Sequence, residues 1–292
     1  SINLVLGNNG IIAKAKDAET KSAEASQNDL IGMNELAQQL EEQINGSTGS
    51  GSGNGGAGGS GAGTKVPAEA TAETAPYFPD NTFTKKEGTI DTGLVIKDAS
   101  GNEYVWVVVP RITAVYKTTG LGKTTFTDAD YTSIENDLKE YTKTYRGSTS
   151  YSDTWYADDK NEGWLSETEY TELKNSMLKS VYENGGFYIG RFEEGTANAE
   201  ESTTEGTSAG PVSKINMYPY RLLTLPEAMD LTKKVNAGNR TCTLMYEVQW
   251  NLVLAHLHNK GNISDTVLTQ NSDSIGNTSS VSFTLNRGKY YA

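Results

Sequence analysis

The chain has 292 residues and a net charge of −12, with charged residues at 21% and hydrophobic ones at 36%. That acidic balance argues against a phosphate-backbone partner, since nucleic-acid binding needs a basic surface, and against simple adsorption to anionic lipid. A single cysteine, Cys242, excludes any intrachain disulfide. Such sparing cysteine use fits a bacterial outer surface as well as it fits cytoplasm.

Residues 11–44 are rich in Ala, Glu, Gln, Lys and Leu, with no proline and only Gly32 as a breaker. That composition predicts a helix. Within it Leu30, Met33, Ala37, Leu40 and Ile44 recur at spacings of 3, 4, 3 and 4, the seam of an assembly helix. The seam serves either packing against copies of the same chain or packing against the chain's own domain. Ahead of it, Ile2, Leu4, Val5 and Leu6 read as the tail of an apolar segment, as a processed membrane helix would leave. From Gly46 to Gly63 ten of eighteen residues are glycine and the rest are small. Such a run buries nothing that could offset its ordering entropy, so it behaves as a flexible coil. Composition therefore divides the chain into a helical arm (1–45), a linker (46–75) and a body (76–292).

In the body, Thr89–Asp98 and Glu103–Val109 read as a β-hairpin, with Asp98, Ser100, Gly101 and Asn102 supplying turn chemistry. Both faces of Glu103–Val109 are apolar, which predicts a central strand. Residues 116–170 are polar and poorly periodic, giving loops and one short helix near Ile134–Tyr141. Ser166–Glu183 reads as a helix with Thr168, Leu173, Met177 and Val181 near one stripe, ended by Gly185-Gly186. Phe187–Phe192 reads as the next strand and Ala197–Ser213 as a loop. Thr224-x-x-Glu227 is a capping box, with Pro226 in the first turn of a helix reaching about Asn236. Leu244–Leu257 reads as a second helix and Val281–Leu285 as a last strand. The body is thus expected to be α+β.

Two stretches carry resemblances. Leu4-Val5-Leu6-Gly7-Asn8-Asn9-Gly10-Ile11-Ile12-Ala13-Lys14-Ala15-Lys16-Asp17-Ala18 resembles the segment after the hydrophobic helix in type IV pilin-like proteins of Gram-positive bacteria. The resemblance implies an apolar helix upstream that anchors the subunit in the membrane and later packs in a filament. In the body, Glu103-Tyr104-Val105-Trp106-Val107 with Pro110 forms a first block, and Gly185-Gly186-Phe187-Tyr188-Ile189-Gly190-Arg191-Phe192-Glu193 a second. Leu244-Met245-Tyr246 with Gln249-Trp250 forms the third. In that order they resemble the formylglycine-generating-enzyme branch of the C-type-lectin-like fold, as found in surface proteins of Firmicutes. The later "NxYDLAGNxxEWT" and "RGG" blocks of that family do not follow, and Asn286-Arg287-Gly288-Lys289 is a weak echo. The expected domain is therefore incomplete at its C-terminus or closes differently.

The enzymes of that branch use two cysteines and copper, which Cys242 alone cannot supply, so the expectation is a buried, unreactive thiol and no cofactor. His256 and His258, spaced i, i+2, point to different sides of a helix and cannot share a metal, so they read as helix-end or exposed residues. Thr119-Gly120-Leu121-Gly122-Lys123-Thr124 lacks the first glycine of a phosphate-binding loop and reads as a plain loop. Asp128, Asp130, Asp153, Asp158, Asp159 and Glu162 could give oxygen ligands to Ca²⁺, although no EF-hand spacing accompanies them and acidic loops are mostly just solvated.

The best functional hint is Tyr145, Tyr151, Trp155, Tyr156 and Trp164. Aromatics among Ser, Gly and Asn are the stuff of binding loops, and equally of loops that merely cover a core. The reading is a non-enzymatic, pilin-like subunit of the cell surface, displaying a lectin-like head for adhesion to an external glycan or protein. The alternatives are a sulfatase-modifying enzyme and a purely structural filament subunit.

Overall fold

The computed structural model describes residues 69–147, 151, 155–158, 160–197, 210–220, 223–235 and 238–269. The arm, its seam from Leu30 to Ile44, the glycine run, Asp153, Asp159, the strand expected at Val281–Leu285 and Asn286–Lys289 lie outside the described residues.

The described residues form a mixed α+β body with two small antiparallel sheets. In chain order the strands of the larger sheet are β1 (Thr84–Glu87), β2 (Val95–Lys97), β3 (Glu103–Val108) and β4 (Gly186–Gly190), with spatial order β1-β2-β3-β4. Helices α1 (Asp128–Tyr141), α2 (Lys143–Arg146) and α3 (Glu167–Asn184) fall between β3 and β4. After β4 come the paired β5 (Gly195–Thr196) and β6 (Tyr218–Pro219), then α4 (Leu225–Thr232), α5 (Glu247–Gly261) and α6 (Asp265–Thr269).

The expected hairpin is present, in the register Val95↔Val105, Ile96↔Tyr104 and Lys97↔Glu103. Its turn is built by Asp98, whose Oδ1 accepts the N–H groups of Ser100 and Asn102, both at 2.9 Å. The first strand is shorter than Thr89–Asp98, because Thr89–Thr92 closes a turn of its own, with Thr89 N–H donating to Thr92 Oγ1 at 2.8 Å. Strand β3 lies inside the sheet, as its two apolar faces require. Val105 and Val107 face the main core with Phe187 and Ile189, while Tyr104 and Trp106 face the opposite side with Phe83, Tyr77 and Tyr188.

Three helices open on capping boxes: Thr127 with Asp130, Ser166 with Glu169, and Thr224 with Glu227. Each satisfies two of the backbone groups that a helix start leaves unpaired. Helix α1 begins well before Ile134, because the Thr127–Asp130 box starts it there. Helix α3 ends at Gly185, whose left-handed φ of 68° suits glycine. Its buried stripe is Tyr170, Leu178, Val181 and Tyr182, a correction to the expected one. Thr168 is exposed and Leu173 and Met177 are half-buried, since the tyrosines supply the larger apolar area. Helix α4 stops at Thr232 rather than near Asn236, and α5 runs three residues later at its start and four later at its end than expected. Helix α5 is buried on nearly every side, from Val248 to Leu257, the pattern of a helix enclosed by its domain.

His256 departs most from its expectation. It is buried, and its Nδ1 accepts the N–H of Val108 at 3.1 Å. Strand β2 is too short to reach Val108, so this histidine stands where a strand partner would. Burial, then the charge of Lys260, brings its pKa down to about 4. His258 is exposed and pairs with Asp265 at 3.1 Å.

The packed body starts upstream of Pro76. Glu69 bonds to Lys85 at 2.9 Å and to the N–H of Ile90 at 2.9 Å. Ala75 N–H donates to Asn184 O at 2.8 Å, and Thr74 Oγ1 to Gly185 O at 2.7 Å. Residues 69–75, which composition assigned to the linker, thus strap across the end of α3. No helix among the described residues is long and apolar enough to cross a membrane.

Candidate functional site

Among the described residues strand β4 is the last strand of its sheet, and beside it lies a cavity of about 550 Å³. Its walls come from both faces of the sheet: Phe187 and Ile189 on one side of β4, Ile96, Tyr104 and Tyr188 on the other. Leu173, Ser176, Met177 and Ser180 of α3 form one flank, and residues 239–243 with Met245 form the other. Tyr77, Pro79 and Phe83 complete an aromatic end. Tyr188 is set in place by its hydroxyl, which donates to Tyr77 O at 2.8 Å. Arg240 lies over the Tyr77 ring at 4.5 Å, a cation–π contact.

The polar group that stands out is Glu194. Its Oε2 is shut off from solvent and has no hydrogen-bond partner among the described residues, and its Oε1 lies 2.8 Å from where a β-carbon on Gly190 would stand. Burial raises its carboxyl to about 8. Burial raises the adjacent Glu193 to about 7. Cys242 is half-buried in this wall, and burial, then the Glu194 charge, pushes its thiol up to about 12. The same two causes raise the Tyr104 phenol. A thiol so disposed is protonated at neutral pH and a poor nucleophile.

The five aromatics singled out from the sequence sit elsewhere. Trp155 is buried and stacks on Tyr246, centroids 4.4 Å apart. Tyr156 packs on Tyr170 at 5.2 Å, and Trp164 is half-buried against the same core. Tyr151 lies under Arg146 at 4.1 Å and accepts from Asn251 at 3.2 Å. Tyr145 donates to Asp265 at 2.7 Å, and burial followed by that bond raises its phenol. All five therefore touch the main core, and none lines the β4 cavity.

Among the described residues no three acidic, histidine or cysteine side chains converge as a metal site. Asp128 and Asp130 open α1, and Asp130 is committed to its capping box. The loop at Thr119–Thr124 hangs from Asp137, whose carboxylate accepts the N–H groups of Thr118 and Thr119. Against its burial, those bonds hold its pKa below the ordinary range.

No sequence pattern marks the groove: Gly190 and Glu193 stand within the second of the three resembling blocks. Its one local signal is Gly-Phe-Tyr-Ile-Gly, a strand with small residues at both ends, where glycine lets another group come close. Comparison of the chain with family models, with curated proteins and with solved structures finds no match.

Proposed function

We propose that the chain is a non-enzymatic, pilin-like subunit of the bacterial cell surface whose lectin-like head binds an external protein or glycan in the groove beside β4. The arm holds the subunit to its copies through Leu30, Met33, Ala37, Leu40 and Ile44, and an apolar helix upstream supplies the membrane anchor. The glycine run then lets many heads engage one surface, raising avidity through effective concentration. The observation that carries the binding role is the 550 Å³ aromatic-walled cavity with, in its lining, a carboxyl group that has no hydrogen-bond partner for one oxygen among the described residues. A concave, mostly apolar site with few polar groups is what a ligand site looks like. The Cys242 thiol, raised to about 12, favours binding over thiol chemistry.

Immunogold electron microscopy of producing cells, with antibody against residues 76–292, tests the display. Label in rows along thin filaments is the expected result. Label scattered over the envelope would keep the tethered head and remove the polymer, and label confined to the cytoplasm would overturn the reading.

A further inference from the structure

We propose that the groove takes an extended peptide segment of a partner protein, added as a fifth strand on the open edge of β4, with a lysine or arginine of that segment against Glu194. The inference rests on the binding role above and names the chemistry of the ligand.

The backbone carries the first part. Arg191 N–H donates to Glu103 O and Val109 N–H to Gly185 O, both at 2.9 Å, which fixes the alternation along the β3–β4 ladder. Phe187 and Ile189 therefore bond to β3, while the N–H and C=O groups of Gly186, Tyr188 and Gly190 point away from it. No described residue bonds to those outward groups. They recur every second residue, the spacing at which an added strand presents its own donors and acceptors. A glycan offers no such repeat.

An open edge is a liability that proteins guard with lysine, proline or a bulge. The sequence of β4, Gly-Phe-Tyr-Ile-Gly, contains neither lysine nor proline, and its pairing with β3 is unbroken. What flanks it instead is a cavity deep enough for side chains, with the aromatic faces of Tyr77, Phe83 and Tyr188 and the flexible Met177 in its walls.

Charge carries the second part. Glu194 stands over Gly190, at the C-terminal end of β4, where the missing side chain leaves room for its carboxyl. A residue of the added strand opposite Gly190 brings its side chain there. A cationic head placed there favours the ionised form of the Glu194 carboxyl, displacing the proton it otherwise keeps, and supplies the partner that Oε2 lacks among the described residues, in a setting where a charge-assisted hydrogen bond is strong. The chain's net charge of −12 draws basic segments toward it.

The test uses the immobilised full chain and blocked heptapeptides: Ac-VTVKVTV-NH2, its norleucine counterpart at the central position, and two versions of the first N-methylated at alternate amides. The wild-type chain is expected to bind the lysine peptide at least tenfold more tightly than the norleucine peptide. One N-methylated set loses binding and the other keeps it, because only alternate amides face β4. Glu194→Gln brings the lysine-to-norleucine ratio close to one while the norleucine peptide still binds. Equal tolerance of both N-methylated sets, an unchanged lysine preference in Glu194→Gln, or no peptide binding by the wild type would each overturn the proposal. Capture of oligosaccharides in place of peptides, in a parallel saccharide array, would overturn it too while leaving a binding head. The immunogold labelling is independent of all these outcomes, so failure of display and failure of strand addition are separable.

Discussion

Replacing Trp106 by alanine is expected to cost the head about 3–5 kcal/mol, the range for deleting a large buried aromatic. The side chain has no solvent exposure and serves three partners at once. Its indole N–H donates to Thr74 Oγ1 at 2.9 Å, and Thr74 passes the bond to Gly185 O at 2.7 Å. Its ring meets Tyr188 at 4.8 Å and Tyr77 at 5.7 Å, both edge-on. It also occupies the space above Gly186, where a β-carbon would lie 2.5 Å from the indole. Truncation would leave a cavity, remove the bond that Thr74 Oγ1 accepts and loosen the strap at residues 69–75 in one step. Urea denaturation of the full chain, followed by circular dichroism, reads the loss. Trp106→Phe keeps most of the packing and should lose about 1–3 kcal/mol, its indole bond and part of its volume. A loss below about 1 kcal/mol for the alanine variant would mean that the strap and the aromatic cluster contribute little, against the usual cost of such cavities.

Stability should fall as pH rises from about 6.5 to 8, and Glu194→Gln should remove most of that slope. The folded pKa of Glu194 is raised to about 8 from an ordinary 4.5, through burial. Between those values the folded head keeps a proton that the unfolded chain has lost, so stability declines with pH across the window. Glu193, raised to about 7 by burial, acts in the same direction up to its own value. His256 acts the opposite way. Its folded pKa is brought down from 6.5 to about 4, by burial first and Lys260 second, so its contribution is lost as pH falls from 6.5 toward 4. The two effects oppose each other in acid, and above 6.5 only the glutamates remain. At pH 8 the Glu194→Gln variant should gain about 1–3 kcal/mol over wild type, several degrees in Tm for a domain of this size. The gain should vanish below pH 4.5. Thermal melts of both proteins across pH 4–8 check this, and parallel curves for the two would refute the burial of an unpartnered carboxylate.

Local chemistry was legible and long-range chemistry was not. Ser166-x-x-Glu169 and Thr224-x-x-Glu227 start helices by bonds that span three residues, so their signal sits in the sequence. The β3 pattern and the Asp98–Asn102 turn are equally local. Strand β1, Thr-Lys-Lys-Glu, has no apolar alternation because it is an exposed edge, and only pairing with β2 makes it a strand. Glu194 reads like any surface glutamate. What sets it apart is a shared cavity wall with Tyr104 and Cys242, far away in sequence, whose ionisation its charge opposes. His256 needs Val108, 148 positions away. The aromatics of residues 145–164 show the limit of composition: Trp155 and Tyr156 look the same in a binding loop as in a core cover, and their packing on Tyr246 and Tyr170 is set by helices elsewhere.

The central claim is that the groove beside β4 meets a partner when the chain stands on the producing cell. Site-specific photocross-linking in those cells tests it directly, with p-benzoylphenylalanine placed at Met177 in the groove wall and, as a control, at Leu121, which is exposed and outside the groove. The account predicts adducts at position 177 to an extended segment of a separate surface or host protein, weakened by Glu194→Gln and absent from position 121. Adducts equal at the two positions, or formed at 177 only within the chain itself, would contradict it.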